Sequence, residues 1–219
     1  MRLAIFDCDG TLVDSGATIH RAVALTLAEH GLDCPPRSVT RRVIGLSLEP
    51  AMAQLVPDGD HEALAATYRQ SFHDLRGAGQ VDEPLYAGIA QLIDALDADG
   101  WLLGVATGKS DRGLAHVIET NHLAGRFVTL QTADRHPSKP HPAMALAAMA
   151  EANATPAETV LIGDTAWDMG CARRAGCGAI AAGWGYHDRA LLCADPVHGF
   201  AEQPGEVLAL AQSWVGSEK

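Results

Sequence analysis

Leu3-Ala4-Ile5-Phe6-Asp7-Cys8-Asp9-Gly10-Thr11 joins a short apolar run directly to two acids and a glycine. Four apolar residues without alternation suit a short strand covered on both faces, as in parallel sheets. Two carboxylates follow at once, two residues apart, with a glycine next. In open α/β sheets the carboxyl edge of a strand is where ligands bind, and a tight turn there lets both acids face one site. Such a pair can hold Mg²⁺, which takes oxygen ligands. It can also divide labour, one carboxylate attacking phosphorus and the other moving protons. A solvated acidic turn is the plain alternative. A calcium loop is another, but the glycine comes too early for that pattern, and its closing glutamate position is Thr18.

Further along the chain, apolar runs at 102–106, 127–130, 159–162 and 179–182 read as four more strands. Helical patterns alternate with them. Ile89, Leu92, Ile93 and Leu96 follow the i, i+3, i+4, i+7 spacing, with Gly100 as a stop. Leu114, Val117 and Ile118 mark a second helix, Pro142 opens a third, and Val207, Leu210, Ala211 and Trp214 mark a last one. Strand alternating with helix predicts an α/β fold, a doubly wound parallel sheet of five strands. One stretch breaks the alternation. From about residue 15 to 80 there are helical faces (Ile19, Ala22, Val23, Leu27; then Leu64, Tyr68, Phe72, Leu75, with Asp60 as N-cap) and no strand. Pro35-Pro36 and Pro57-Asp58-Gly59 punctuate it, and Gly77, Gly79 and Pro84 suit a return hinge. The expected division is a core of residues 1–14 and 81–219 with an all-helical insertion at 15–80.

Three further motifs fall at strand ends or helix starts. Thr107-Gly108-Lys109-Ser110 offers a hydroxyl and freed backbone N–H groups to phosphate oxygens. Ser138-Lys139-Pro140 offers a compact cation suited to bridging phosphate and carboxylate. Gly163-Asp164-Thr165-Ala166-Trp167-Asp168 adds two acids at i, i+4, on one side of a turn entering a helix. Taken singly, the Thr is a turn residue, the Lys a solvated side chain and Asp164 an N-cap. Their joint placement at one edge favours a metal and phosphate site.

Composition narrows the partners. The 219 residues carry 16 basic and 27 acidic side chains, a net charge of −11. That disfavours nucleic acid and anionic membranes and requires local cations wherever phosphate binds. Cys8, Cys34, Cys171, Cys177 and Cys193 are odd in number and form no C-x-x-C pair, so a disulfide framework or zinc site is not expected and a reducing cytoplasm is. The first apolar run ends at Phe6, too short for a signal peptide or a membrane span.

With these elements in this order, the chain resembles the haloacid-dehalogenase-like hydrolases over nearly its whole length. The segment Asp7-x-Asp9-Gly10-Thr11-Leu12-Val13-Asp14-Ser15 carries the resemblance, and the helical insertion looks like the C1 cap of that superfamily. Ala106-Thr107-Gly108-Lys109, Ser138-Lys139-Pro140-His141-Pro142 and Gly163-Asp164-Thr165 resemble its phosphoglycolate-phosphatase-like branch. The resemblance implies a Mg²⁺-dependent phosphatase acting on a small phosphorylated metabolite through an aspartyl-phosphate. It casts Asp7 as nucleophile and Asp9 as general acid, then base. Thr107 and Lys139 would hold phosphoryl oxygens. Asp7, the Asp9 carbonyl and Asp164 would hold the metal, and Asp168 would bind it through water or orient Lys139. Thr11, Gly108, Lys109 and, in the cap, Arg41 are the substrate-binding candidates, with Arg42 beside it.

Rival readings stay open at this level. Gly104 to Ser110 approximates a phosphate-binding P-loop, one residue short, since the first glycine would have to be Leu103. A phosphosugar mutase would carry a cap histidine where Ile19 stands, with His20 one step off. A non-catalytic regulator would have lost one of Asp7, Asp9, Lys139 or Asp164, and none is lost. Trp184-Gly185-Tyr186-His187 either shapes the site rim or packs.

Overall fold

The computed structural model describes residues 1–216. Six parallel strands form one sheet in the order β3-β2-β1-β4-β5-β6. They are β1 (Leu3–Phe6), β2 (Leu102–Thr107), β3 (Thr129–Thr132), β4 (Thr159–Gly163), β5 (Gly178–Ala182) and β6 (Gly199–Ala201). The expected five strands are thus corrected to six. The extra one, β6, is a three-residue edge strand paired with β5 through Ile180 and Gly199, too short to leave an apolar run. The third strand also starts two residues later than the run at 127–130. Val128 is 55% exposed, whereas Thr129 and Gln131 are buried. Gln131 donates to Thr129 Oγ1 (2.7 Å), and Thr129 donates to Glu151 Oε2 (2.6 Å). Hydrogen bonding lets polar residues occupy a buried strand.

Alternate residues of β1 feed opposite faces. Ala4 and Phe6 join a cluster with α5 (Ile89–Ala98), α6 (Asp111–Thr120) and α10 (Val207–Gly216). Leu3 and Ile5 join one with α7 (Ala143–Ala152) and α8 (Ala166–Ala175). The α5 stripe of Ile89, Leu92, Ile93 and Leu96 is almost wholly buried, and each such side chain stabilises the fold by about 1.5–3 kcal/mol. The sheet order reverses at β1, between β2 and β4, so its carboxyl end is a topological switch point.

Between β1 and β2 lie α1 (Gly16–Glu29), α2 (Arg37–Val43), α3 (Leu48–Leu55) and α4 (His61–Gly77). Val23, Leu27, Met52 and Leu64 form their own buried cluster. Asp60 caps α4, accepting from the Ala63 N–H at 3.1 Å. The outgoing and returning chains are tied side by side. Asp14 N–H donates to Pro84 O (2.9 Å), Thr18 Oγ1 donates to Asp82 O (2.9 Å), and Val13 bridges Leu85.

Candidate active site

Asp7 leaves β1 in register with the neighbouring strand, its N–H donating to Ile162 O at 2.9 Å. The chain then turns so tightly that Cys8 O accepts from the N–H groups of Thr11, Leu12 and Val13. Gly10 makes the turn possible. Its φ is +87°, and a Cβ there would stand 2.6 Å from Asp164 Cγ, inside van der Waals contact.

One ligand oxygen each from Asp7, Asp164 and Asp168, all buried, lie within 4.8 Å of one another. Lys139 is the cation among them. Its Nζ lies 2.8 Å from Asp7 Oδ1, an ion pair without hydrogen-bond alignment, and donates to Asp168 Oδ1 (2.6 Å) and Ala106 O (3.2 Å). Burial works against the Lys139 charge, but Asp168 and Asp7 outweigh it and hold its pKa above the ordinary lysine value. Asp164 accepts from Thr11 Oγ1 (2.8 Å) and from Tyr186 N–H (2.8 Å). Both Asp168 oxygens are engaged, Oδ1 by Lys139 and Oδ2 by the N–H (3.1 Å) and hydroxyl (2.5 Å) of Thr165. Thr165, not Asp164, caps α8, with Asp168 completing the reciprocal box.

Charge is unbalanced here. Burial drives the Asp7 carboxyl up to about 7, opposed by Lys139 and reinforced by Asp168. Burial, then the charges of Asp7 and Asp168, pushes Asp164 well above the usual carboxylate range. Asp7 Oδ2 is buried with no hydrogen-bond partner among the described residues. Three buried carboxylates, one lysine and an unpartnered oxygen fit a hard divalent cation with oxygen ligands.

Asp9 points elsewhere. Its Oδ1 accepts from the Ser15 hydroxyl and from Lys109 Nζ at 2.7 Å. Lys109 also donates to Glu83 Oε1 at 2.8 Å. Burial opposes the Lys109 charge, and Asp9 and Glu83 more than compensate, holding its pKa well above normal. Thr107 ends β2 with its hydroxyl buried, accepting from Lys109 N–H at 3.2 Å. Burial and then Asp9 push the Cys8 thiol well above its ordinary value, so it is no thiolate.

The remaining candidates fall in different places. Gly108 and Lys109 line a cavity of about 950 Å³ that reaches from Asp9 to the inserted helices. Thr11 is fully buried and orients Asp164. Arg41 lies outside the cavity lining, exposed, with its guanidinium 5.9 Å from the Tyr186 ring. Residues 104–107 lie within β2, so no P-loop wraps there. One residue outside the sequence motifs serves the site: Glu83 shares Lys109. Two within the quoted stretches find their partners here, Ser15 holding Asp9 and Trp184 Nε1 donating to Thr11 O (3.1 Å). The turn after β5 is thus more than packing: Tyr186 N–H holds Asp164, and its hydroxyl accepts from Ser15 N–H (3.0 Å). Only tertiary structure brings these together.

The model of the haloacid dehalogenase-like hydrolase family matches residues 4–182. A probable phosphatase of Dickeya dadantii, IndB, is 35% identical over 95% of this chain and 94% of its own length. The phosphoglycolate phosphatase of Aquifex aeolicus is 30% identical over 85% of this chain and 86% of its own. Among solved structures, a haloacid dehalogenase-like family hydrolase from Streptococcus pneumoniae superimposes with a TM-score of 0.84 at 27% identity, covering 95% of this chain and 97% of its own. The match runs from β1 to the end of β5 and takes in the motifs around Asp7, Thr107, Lys139 and Asp164, and on that ground the chain belongs to the haloacid dehalogenase-like hydrolase family.

Proposed function

We propose that this protein is a Mg²⁺-dependent phosphatase that hydrolyses phosphate monoesters through an aspartyl-phosphate on Asp7. The observation that carries the reading is the buried Asp7 carboxylate at the switch point, with one oxygen unpartnered and Lys139 beside the other. Asp7 attacks phosphorus, and Asp9, two residues on, gives a proton to the departing alcohol and later takes one from the attacking water. Lys139 and Thr107 hold the equatorial phosphoryl oxygens and offset their charge. Asp7, the Asp9 carbonyl and Asp164 would hold Mg²⁺, which when bound neutralises the carboxylates and the phosphate dianion. Asp168, saturated by Lys139 and Thr165, orients Lys139. Residues 15–80 act as a cap over a core of 1–14 and 81–219, bringing their own wall to the cavity and excluding bulk water while the phosphoryl group passes to Asp7.

The names of the relatives support the class and put phosphoglycolate on the test panel. The test is phosphate release from a panel of monoesters, with Mg²⁺ or EDTA, by wild type and Asp7→Asn. Release that needs Mg²⁺ and vanishes in the variant supports the reading. Full activity in Asp7→Asn overturns it.

A further inference from the structure

We propose that the preferred alcohol leaving this site is an elongated one, with an apolar body and a second anionic group read by Arg76 and Arg112. This rests on the phosphatase reading above. The cavity beside Asp9 has a volume of about 950 Å³, at the upper end of ligand pockets generally. A two-carbon alcohol such as glycolate would leave most of it empty. Beyond Asp9 its wall is apolar and aromatic, including Val23, Met52, Leu55, Tyr68 and Phe72.

Past that wall the lining turns cationic. Arg76 stands with its Cζ 5.5 Å from the Phe72 ring, and its Nε is buried without a hydrogen-bond partner among the described residues. Lys109 Nζ lies 5.8 Å from the same ring, so one aromatic side chain spans from the Asp9 end of the cavity to the arginine. Arg112 reaches in from α6 and donates to His73 Nδ1 at 2.6 Å. Among the described residues neither Arg76 nor Arg112 forms an ion pair, whereas Arg69 on the same lining pairs with Glu49 at 3.8 Å. Burial presses on the charge of Arg76, Glu83 supports it and Arg112 opposes it. Glu83 gives its Oε1 to Lys109, and its Oε2 is buried without a hydrogen-bond partner among the described residues. In a chain with a net charge of −11, two guanidiniums on one cavity lining, close enough to oppose each other's charge and neither held in an ion pair among the described residues, form a local anion site. A guanidinium takes carboxylate or phosphate through paired hydrogen bonds.

The experiment compares kcat/KM on matched esters that differ only at the far end. These are 6-phosphohexanoate against hexyl phosphate, and 4-(carboxymethyl)phenyl and 4-(phosphonomethyl)phenyl phosphate against 4-ethylphenyl phosphate. Phosphoglycolate and p-nitrophenyl phosphate run alongside. Wild type should favour the charged member by about tenfold or more, mainly through KM, and Arg76→Gln and Arg112→Gln should each cut that ratio by about tenfold. The carboxylate and phosphonate arms tell which anion is read. Arg112 is exposed, so its variant carries the test if Arg76→Gln does not fold. Equal rates within pairs, a preference that survives both substitutions, or phosphoglycolate outrunning every long ester overturns the inference while p-nitrophenyl phosphate turnover keeps the phosphatase reading standing. No turnover of any ester overturns both.

Discussion

Lys109 holds Asp9: its ammonium lies 2.7 Å from Asp9 Oδ1 and is shared with Glu83 at 2.8 Å, with all three side chains nearly out of solvent. Lys109, next to Gly108, is thus committed to two carboxylates, one on each chain connecting the core to the inserted helices. Lys109→Met would leave those carboxylates facing each other without a cation. Removing one partner of a buried ion pair costs about 3–5 kcal/mol, so urea unfolding should show a loss of that order. Adding Glu83→Gln should recover part of it. A Lys109→Met protein as stable as wild type would contradict this picture of the network.

Asp168 and Asp164 should separate in metal binding. Asp168 gives one oxygen to the Lys139 cation and the other to two donors of Thr165, while each Asp164 oxygen accepts a single bond from a neutral donor and keeps a lone pair for a metal. Mg²⁺ at a hundredfold excess over its dissociation constant should stabilise wild type by about 2.7 kcal/mol, read as a rise in Tm that EDTA reverses. Asp164→Asn should abolish that rise. Asp168→Asn should keep most of it and lose turnover, because Lys139 goes adrift. Equal loss of the Mg²⁺ effect in both variants would make Asp168 a ligand.

The main lines of this arrangement are legible in the chain because they are local. Asp7, Asp9 and Gly10 follow a buried strand directly, and Asp164 follows another. The helical insertion shows as periodicity without strands, although α2 is only seven residues long and α3 eight, too short to stand out between prolines and turns. Partnerships over long separations stay hidden. Glu83 has no motif around it and gains its role only because the return hinge runs beside Asp14. Arg41 looked fit to grip an anion from its residue type, but its position on α2 turns it toward Tyr186 and away from the cavity. β6 and the start of β3 were obscured for the opposite reason, since hydrogen bonds and edge position, not hydrophobicity, make them strands.

His20 should make the inserted helices acid-sensitive. Its Nδ1 lies 3.0 Å from Thr40 Oγ1, tying α1 to α2, and burial first, then Arg37, lowers its pKa below the ordinary histidine value. The unfolded chain then binds the proton more readily than the folded one. The contribution is therefore intact above about pH 6.5 and is lost as pH falls through the lower folded value. His20→Gln, which does not titrate, should show a shallower fall of Tm between about pH 6.5 and 5 than wild type. Parallel curves for the two proteins would remove His20 from the account.

Gly108 should be intolerant of even a methyl group. A Cβ there would lie 2.5 Å from Leu46 O, 2.9 Å from Leu46 C and 3.0 Å from Gly45 O. Those are backbone atoms of the segment joining α2 to α3, and they have no rotamer by which to move aside. Gly45 itself has φ +93°, and a Cβ on it would meet Thr165 Oγ1 at 3.0 Å, so the segment is also confined from the side of α8. In Gly108→Ala the inserted helices must therefore back away from the core as a unit. Overpacking of this kind costs about 1–3 kcal/mol. Because the strain lies at the contact over the site and not within the sheet, most of it should appear as a drop in kcat/KM of about tenfold to a hundredfold, with a smaller change in Tm. Kinetics on one ester, paired with a thermal melt, separates the two. A large fall in Tm with unchanged kcat/KM would mean that the close approach at Gly108 supports folding and has no part in closing the site.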